Sequence, residues 1–88
     1  MNLVIVVEGR DDTRRLRELY PDIATIETNG SAIAEETLAL IQQALQTREV
    51  IVFTAPDYPG PRIRNLITEH VPGVKHAFIE RAAAVRQV

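Results

Sequence analysis

The segment Leu3-Val4-Ile5-Val6-Val7 is an unbroken apolar run of mostly β-branched residues that stops at Glu8-Gly9. A strand apolar at every position cannot turn one face to water, so it has to be buried on both, as interior strands of helix-covered parallel sheets are. Glu49 to Thr54 carries a second run of this kind, Val50-Ile51-Val52-Phe53. Both are far too short to span a bilayer.

Between and beyond these runs the pattern alternates strand with helix. The first strand is expected over Asn2 to Val7. Asp11 or Asp12 can cap a helix whose Leu16, Leu19 and Tyr20 share a face, and Pro21 ends it. Ile23 to Thr28 alternates as a shorter strand and stops at the turn residues Asn29-Gly30-Ser31. Ile33, Thr37, Leu40, Ile41, Ala44 and Leu45 recur at helical spacing, with Glu35, Glu36, Gln42, Gln43 and Gln46 opposite. After the Glu49 to Thr54 strand and the breaker-rich Ala55 to Gly60 loop, Pro61 fits the first position of a third helix. Its inward stripe is Ile63, Leu66, Ile67, His70 and Val71, and Pro72-Gly73 closes it. Val74 to Ile79 is the last expected strand, and Arg81 to Val88 starts a helix or a linker. This order predicts an α/β three-layer sandwich, a four-stranded parallel sheet with right-handed crossovers and helices on both faces.

Composition narrows the chemistry. Eighty-eight residues form one domain, and the absence of cysteine removes disulfides and thiolate metal sites. No basic and apolar export signal begins the chain, so a cytoplasmic location is expected. The net charge of −2 argues against a uniformly basic nucleic-acid binder, but nine of the ten cations are arginine, the residue suited to bidentate phosphate contacts.

Ligands of parallel sheets gather at the carboxyl ends of the strands. There the loops present Glu8, Asp11, Asp12 and Asp57, with Gly9, Gly30 and Gly60 permitting close backbone approach. Oxygen donors from separate loops, without cysteine or histidine beside them, suit Mg²⁺ or Mn²⁺. Arg10, Arg14 and Arg17 follow on one face of the first helix, and Arg62 and Arg64 open the third. Acids flanked by arginines match a phosphodiester substrate, with metal at the scissile phosphate and cations along the backbone. Each feature has a plainer use, aspartate as a helix cap and arginine on a solvated face. Glu8, ending a buried strand, has little structural reason to be acidic. His70 is expected to be packed, Ser31 to cap, and Tyr58 to cover the loop or stack on a nucleotide.

Glu8-Gly9-Arg10-Asp11-Asp12, Thr28-Asn29-Gly30 and Thr54-Ala55-Pro56-Asp57-Tyr58-Pro59-Gly60 resemble the three motifs of the Toprim domain family, shared by topoisomerases, primases and nucleases. The longer runs Ile26 to Ile33 and Lys75-His76-Ala77-Phe78 resemble the ribonuclease M-five branch, which matures 5S ribosomal RNA. The resemblance implies a Toprim catalytic domain over 1–81, with 82–88 a linker stub toward an RNA-binding carboxyl-terminal domain. It implies an endoribonuclease using one or two Mg²⁺ ions. Glu8 would be a metal ligand or general acid/base, Asp57 a metal ligand and Asp12 a supporting ligand. Arg10, Arg14, Arg17, Arg62 and Arg64 would contact double-stranded precursor 5S RNA by shape and charge. The expected partners are that RNA and the 5S-binding ribosomal protein, for a monomer away from any membrane.

One departure bears on all of this. The first aspartate of the D-x-D motif is Ala55, which cannot coordinate a cation, so catalysis should be crippled. A single loss among intact motifs fits a deliberate inactivating substitution better than natural decay, though the sequence leaves both open. Two other readings remain: a receiver-like signalling domain, whose phosphoacceptor would fall on Ala55, and a degenerate Toprim module that binds RNA or protein without cutting.

Overall fold

A computed structural model of the chain describes residues 2–30, 33–54 and 59–78. The elements run β1 (Leu3–Val7), α1 (Arg10–Leu19), β2 (Ala24–Glu27), α2 (Glu35–Leu45), β3 (Glu49–Thr54), α3 (Pro59–His70) and β4 (Lys75–Phe78). All pairings are parallel and the sheet order is β2-β1-β3-β4. The expected alternation and parallel sheet are therefore present: β3 has its expected bounds, β1 and β4 start one residue later, and β2 is one residue shorter at each end. Residues 79–88, with the expected domain boundary, lie outside the described residues.

Alternation along the strands splits the core into two layers. Val4 and Val6 of β1 and Val50 and Val52 of β3 meet Ile41 of α2 and Ile63, Ile67 and Val71 around α3. Ile5, Val7 and Ile23, with Leu16 of α1 and Ile51 and Phe53 of β3, fill the other side. Helices thus flank both faces, two on one and α1 on the other. The α3–β4 turn sits tightly against α2, since a Cβ on Gly73 would come within 2.7 Å of Leu45 Cδ2.

The helices depart from the expected stripes for a geometric reason. At roughly 100° per residue, Leu40 lies about a quarter turn from Ile41 and Leu19 about a third of a turn from Thr13, the buried residue of α1. Leu40 and Leu19 are accordingly 55% and 74% exposed, and Tyr20, capping the end of α1, is exposed too. Leu38, absent from the expected stripe, packs against the core instead. His70 is also exposed, its Nδ1–H donating to the Leu66 carbonyl at 2.9 Å within the helix. Helix α3 begins at Pro59 rather than Pro61.

Truncating Ile41→Ala should lower unfolding free energy by about 2–5 kcal/mol, because the vacated space lies between sheet and helix. Leu40→Ala, one residue away, should change it by less than about 0.5 kcal/mol. Urea titration followed by circular dichroism measures both.

Candidate functional site

The order β2-β1-β3 puts the carboxyl end of β1 between two others, where the crossovers diverge to opposite sides. Val7 pairs with Glu27 and Val6 with Val52, and continuing both registers sets Glu8 beside Thr28 on one side and Thr54 on the other. The Glu8 carbonyl accepts the Asn29 N–H at 2.8 Å, and the Val7 carbonyl that of Thr28 at 2.9 Å. Asn29 has φ of 58° and Gly30 of 111°, so the chain turns sharply at the second motif through two left-handed residues. Glu8 itself is half-buried.

Thr28 and Thr54 are the residues whose importance the sequence reading missed. They are 4% and 2% exposed, and among the described residues neither Oγ1 has a hydrogen-bond partner. A buried hydroxyl left unsatisfied costs on the order of 1–3 kcal/mol, so two of them flanking one glutamate are unusual. Each follows an apolar set at period two that packs on the core, the partly buried Ala24 and Ile26 before Thr28 and the buried Val50 and Val52 before Thr54. That inward parity was the available signal.

Helix α1 starts at Gly9, not at an aspartate side chain. Gly9 is the N-cap, its N–H donating to Asp12 Oδ2 at 3.1 Å, while its carbonyl accepts the Asp12 N–H at 3.2 Å. Asp12 therefore anchors the loop holding Glu8. Asp11 is exposed, and its 4.0 Å pair with Arg14 is solvated. Arg10 and Arg14 project freely into solvent and, with Arg17, Thr13 and Glu18, line a recess of about 380 Å³. Arg17 also donates Nε–H to the Ile23 carbonyl at 3.3 Å, which ties the stripe to the start of β2. Beneath it the buried Thr13 hydroxyl donates to Glu27 Oε2 at 2.7 Å and lies 3.0 Å from Thr25 Oγ1.

The arginines of α3 separate. Arg62 is exposed. Arg64, expected on the RNA-facing surface, is only 7% exposed: one amino group meets His76 Nδ1 at 2.9 Å, the other donates to the carbonyls of Thr54, at 3.3 Å, and Ala77. Burial lowers its pKa, yet a guanidinium stays charged at neutral pH. His76 Nε2 lies 3.3 Å from Thr68 Oγ1, and its pKa is held below the ordinary histidine value by burial first and by Arg64 second. Gly60 is the second residue of α3. Ala55, Asp57, Tyr58 and Ser31 lie outside the described residues.

The described donors fit an oxygen-preferring cation in kind. Glu8 supplies a carboxylate and the two threonines supply hydroxyls without partners. Among the described residues no three acidic or histidine side chains converge into a ligand set.

Residues 3–85 match the Toprim domain family. The chain is 60% identical over 84 residues to ribonuclease M5 of Staphylococcus aureus, 61% over 82 to that of Lactiplantibacillus plantarum and 54% over 81 to that of Bacillus subtilis. The matches cover 96%, 93% and 92% of this chain but 47%, 43% and 43% of those proteins, so the chain spans less than half their length. A solved small TOPRIM domain protein from Bacillus stearothermophilus superposes with a TM-score of 0.78 at 28% identity, covering 93% of this chain and 70% of that one.

Substituting the unpartnered threonines with the isosteric valine should leave the metal-free protein as stable as before or raise stability by about 1 kcal/mol. Thr13→Val, which strips Glu27 of a hydroxyl donor, should instead lower it by about 1–3 kcal/mol. Parallel thermal melts of the three variants check the contrast; equal losses at all three positions would contradict it.

Proposed function

The chain belongs to the Toprim domain family, and on that premise we propose that it is the catalytic domain of a divalent-cation-dependent endoribonuclease acting on double-stranded precursor 5S ribosomal RNA. The observation that carries the reading is the 60% identity with a ribonuclease M5 along 84 of these residues. The position of Glu8 at the switch point of the sheet supports it, since ligands of such sheets bind there.

In this reading Glu8 and Asp57 hold Mg²⁺, or Mn²⁺ in its place, as one or two ions. Asp12 serves chiefly by keeping the Glu8 loop in position through the Gly9 N–H. A bound ion of this kind neutralises charge at the scissile phosphate and lowers the pKa of its water. The fold's own part is to hold Glu8 rigidly, with Asn29 gripping its carbonyl and the Thr28 and Thr54 hydroxyls ready to donate to whatever oxygen sits beside it. Arg10, Arg14, Arg17 and Arg62, all exposed, would contact the backbone of an A-form duplex, whose recognition depends on shape and phosphates. Arg64 is left out of that set because its guanidinium is turned inward. The 5S-binding ribosomal protein and a cytoplasmic setting belong to the same proposal. Among the described residues no helix is long and apolar enough to cross a membrane.

Ala55 makes the cleavage step the weak one. A module that binds the RNA and cuts it poorly or not at all follows from losing one carboxylate while the arginine stripe stays intact.

Restoring Ala55→Asp should tighten Mn²⁺ binding by at least about ten-fold, measured by titration calorimetry, and equal affinity would show that position 55 is not a ligand. In the full-length protein, with the 5S-binding ribosomal protein supplied, the same change should give Mg²⁺-dependent cleavage of a 5S precursor; no cleavage would sink the reading. Arg10→Gln and Arg14→Gln should weaken duplex binding across sequences alike and reduce the slope of log affinity on log salt by about 1 each, in filter-binding assays.

A further inference from the structure

Arg64 reaches across the carboxyl ends of two strands. Thr54 and Phe78 are paired in the β3–β4 register, and the guanidinium donates to the Thr54 carbonyl at 3.3 Å and to that of Ala77, the residue before Phe78. Its other amino group, 2.9 Å from His76, can only donate, so His76 Nδ1 must be the acceptor. The imidazole is therefore neutral with its proton on Nε2, from which it donates to Thr68 Oγ1 at 3.3 Å. Arginine, histidine and threonine form a chain from the surface of α3 to the last carbonyl of β3. Thr54 is the residue from which the backbone passes to positions 55 and 57.

We propose that Arg64 is a positioning residue: by gripping the Thr54 and Ala77 carbonyls, with His76 as the acceptor for its second amino group, it holds the carboxyl end of β3 in place against β4. The consequence for metal binding rests on the reading of Asp57 as a ligand, whereas the grip on β3 does not. Protonating His76 would put an N–H and a second positive charge against the guanidinium, releasing it. Among the described residues Arg64 and Thr68 of α3 contact the imidazole, with Asn65 and Glu69 lining the same recess. Lys75 on the same strand is engaged with Glu49 of β3. The sign follows from the lowered pKa of His76: the unfolded chain takes up the proton first. The interaction is present in full above the ordinary histidine value of 6.5 and is lost as pH falls toward the lower folded value.

Histidine ¹⁵N and carbonyl ¹³C spectra of this chain, recorded across acidic pH, test the grip directly. Expected are an unprotonated His76 Nδ1 at neutral pH and Thr54 and Ala77 carbonyl shifts that move with the His76 midpoint. In His76→Asn, whose side-chain oxygen takes the place of Nδ1 as an acceptor but does not titrate, those shifts should stay still. A proton on Nδ1, or Thr54 and Ala77 carbonyls indifferent to His76, would overturn the proposal. In the Ala55→Asp background, Arg64→Lys should weaken Mn²⁺ binding about ten-fold. Loss of stability in urea with unchanged Mn²⁺ affinity would reduce Arg64 to a structural brace and also overturn it. Should Mn²⁺ bind neither chain, the metal reading fails and the carbonyl titration alone decides the grip.

Discussion

The parallel register between β1 and β3 is the constraint from which the site follows. Leu3 faces Glu49, Val4 faces Val50 and Val6 faces Val52, and the inward valines of both strands close against Ile41, Ile63 and Ile67. Because side chains alternate across a strand, a slip of one residue would send Val50 and Val52 to the α1 side and break both core layers. Apolar packing therefore fixes the register far more strongly than anything at the carboxyl edge does. Glu8, Thr28 and Thr54 inherit their alignment from valines several residues away.

What could be read from the sequence tracks the range of the interaction that decides it. Apolar runs at Leu3 to Val7 and Val50 to Phe53 contain their own answer, because strand burial depends on composition at every position, and the acidic residue after the first run stood out against it. Stripe assignments on the helices were less secure. Leu19 and Leu40 are apolar and near the right phase, but a helix resting on a twisted sheet buries a narrow arc, and roughly 100° decides between core and solvent. Arg64 could not have been placed at all. Its burial depends on His76 and Ala77, brought beside it by the α3–β4 turn, and nothing local separates it from Arg62 two residues earlier. Asp12 was legible as a helix-start residue, but not as the N3 acceptor for a glycine N-cap.

The polar groups of the edge fall into two kinds. Thr13, Glu27, Arg64 and His76 make side-chain hydrogen bonds within the fold that bridge elements: α1 to β2 in one case, α3 to β3 and β4 in the other. These contacts resemble a frame around the centre of the sheet, gripping the strands next to β1 on both sides. Glu8 needs such a frame, since a half-buried carboxylate at a chain turn has no packing of its own to hold it.

The second kind is unsatisfied. Thr28 and Thr54 keep their hydroxyls buried without partners on either side of Glu8, although valine would fill the same space without that cost. Folding alone gives no reason for the hydroxyls; a polar ligand at Glu8 does. Under the proposed metal reading, alanine at position 55 would take away a ligand. The two threonines keep their cost, which a ligand oxygen beside Glu8 would offset under the proposed function.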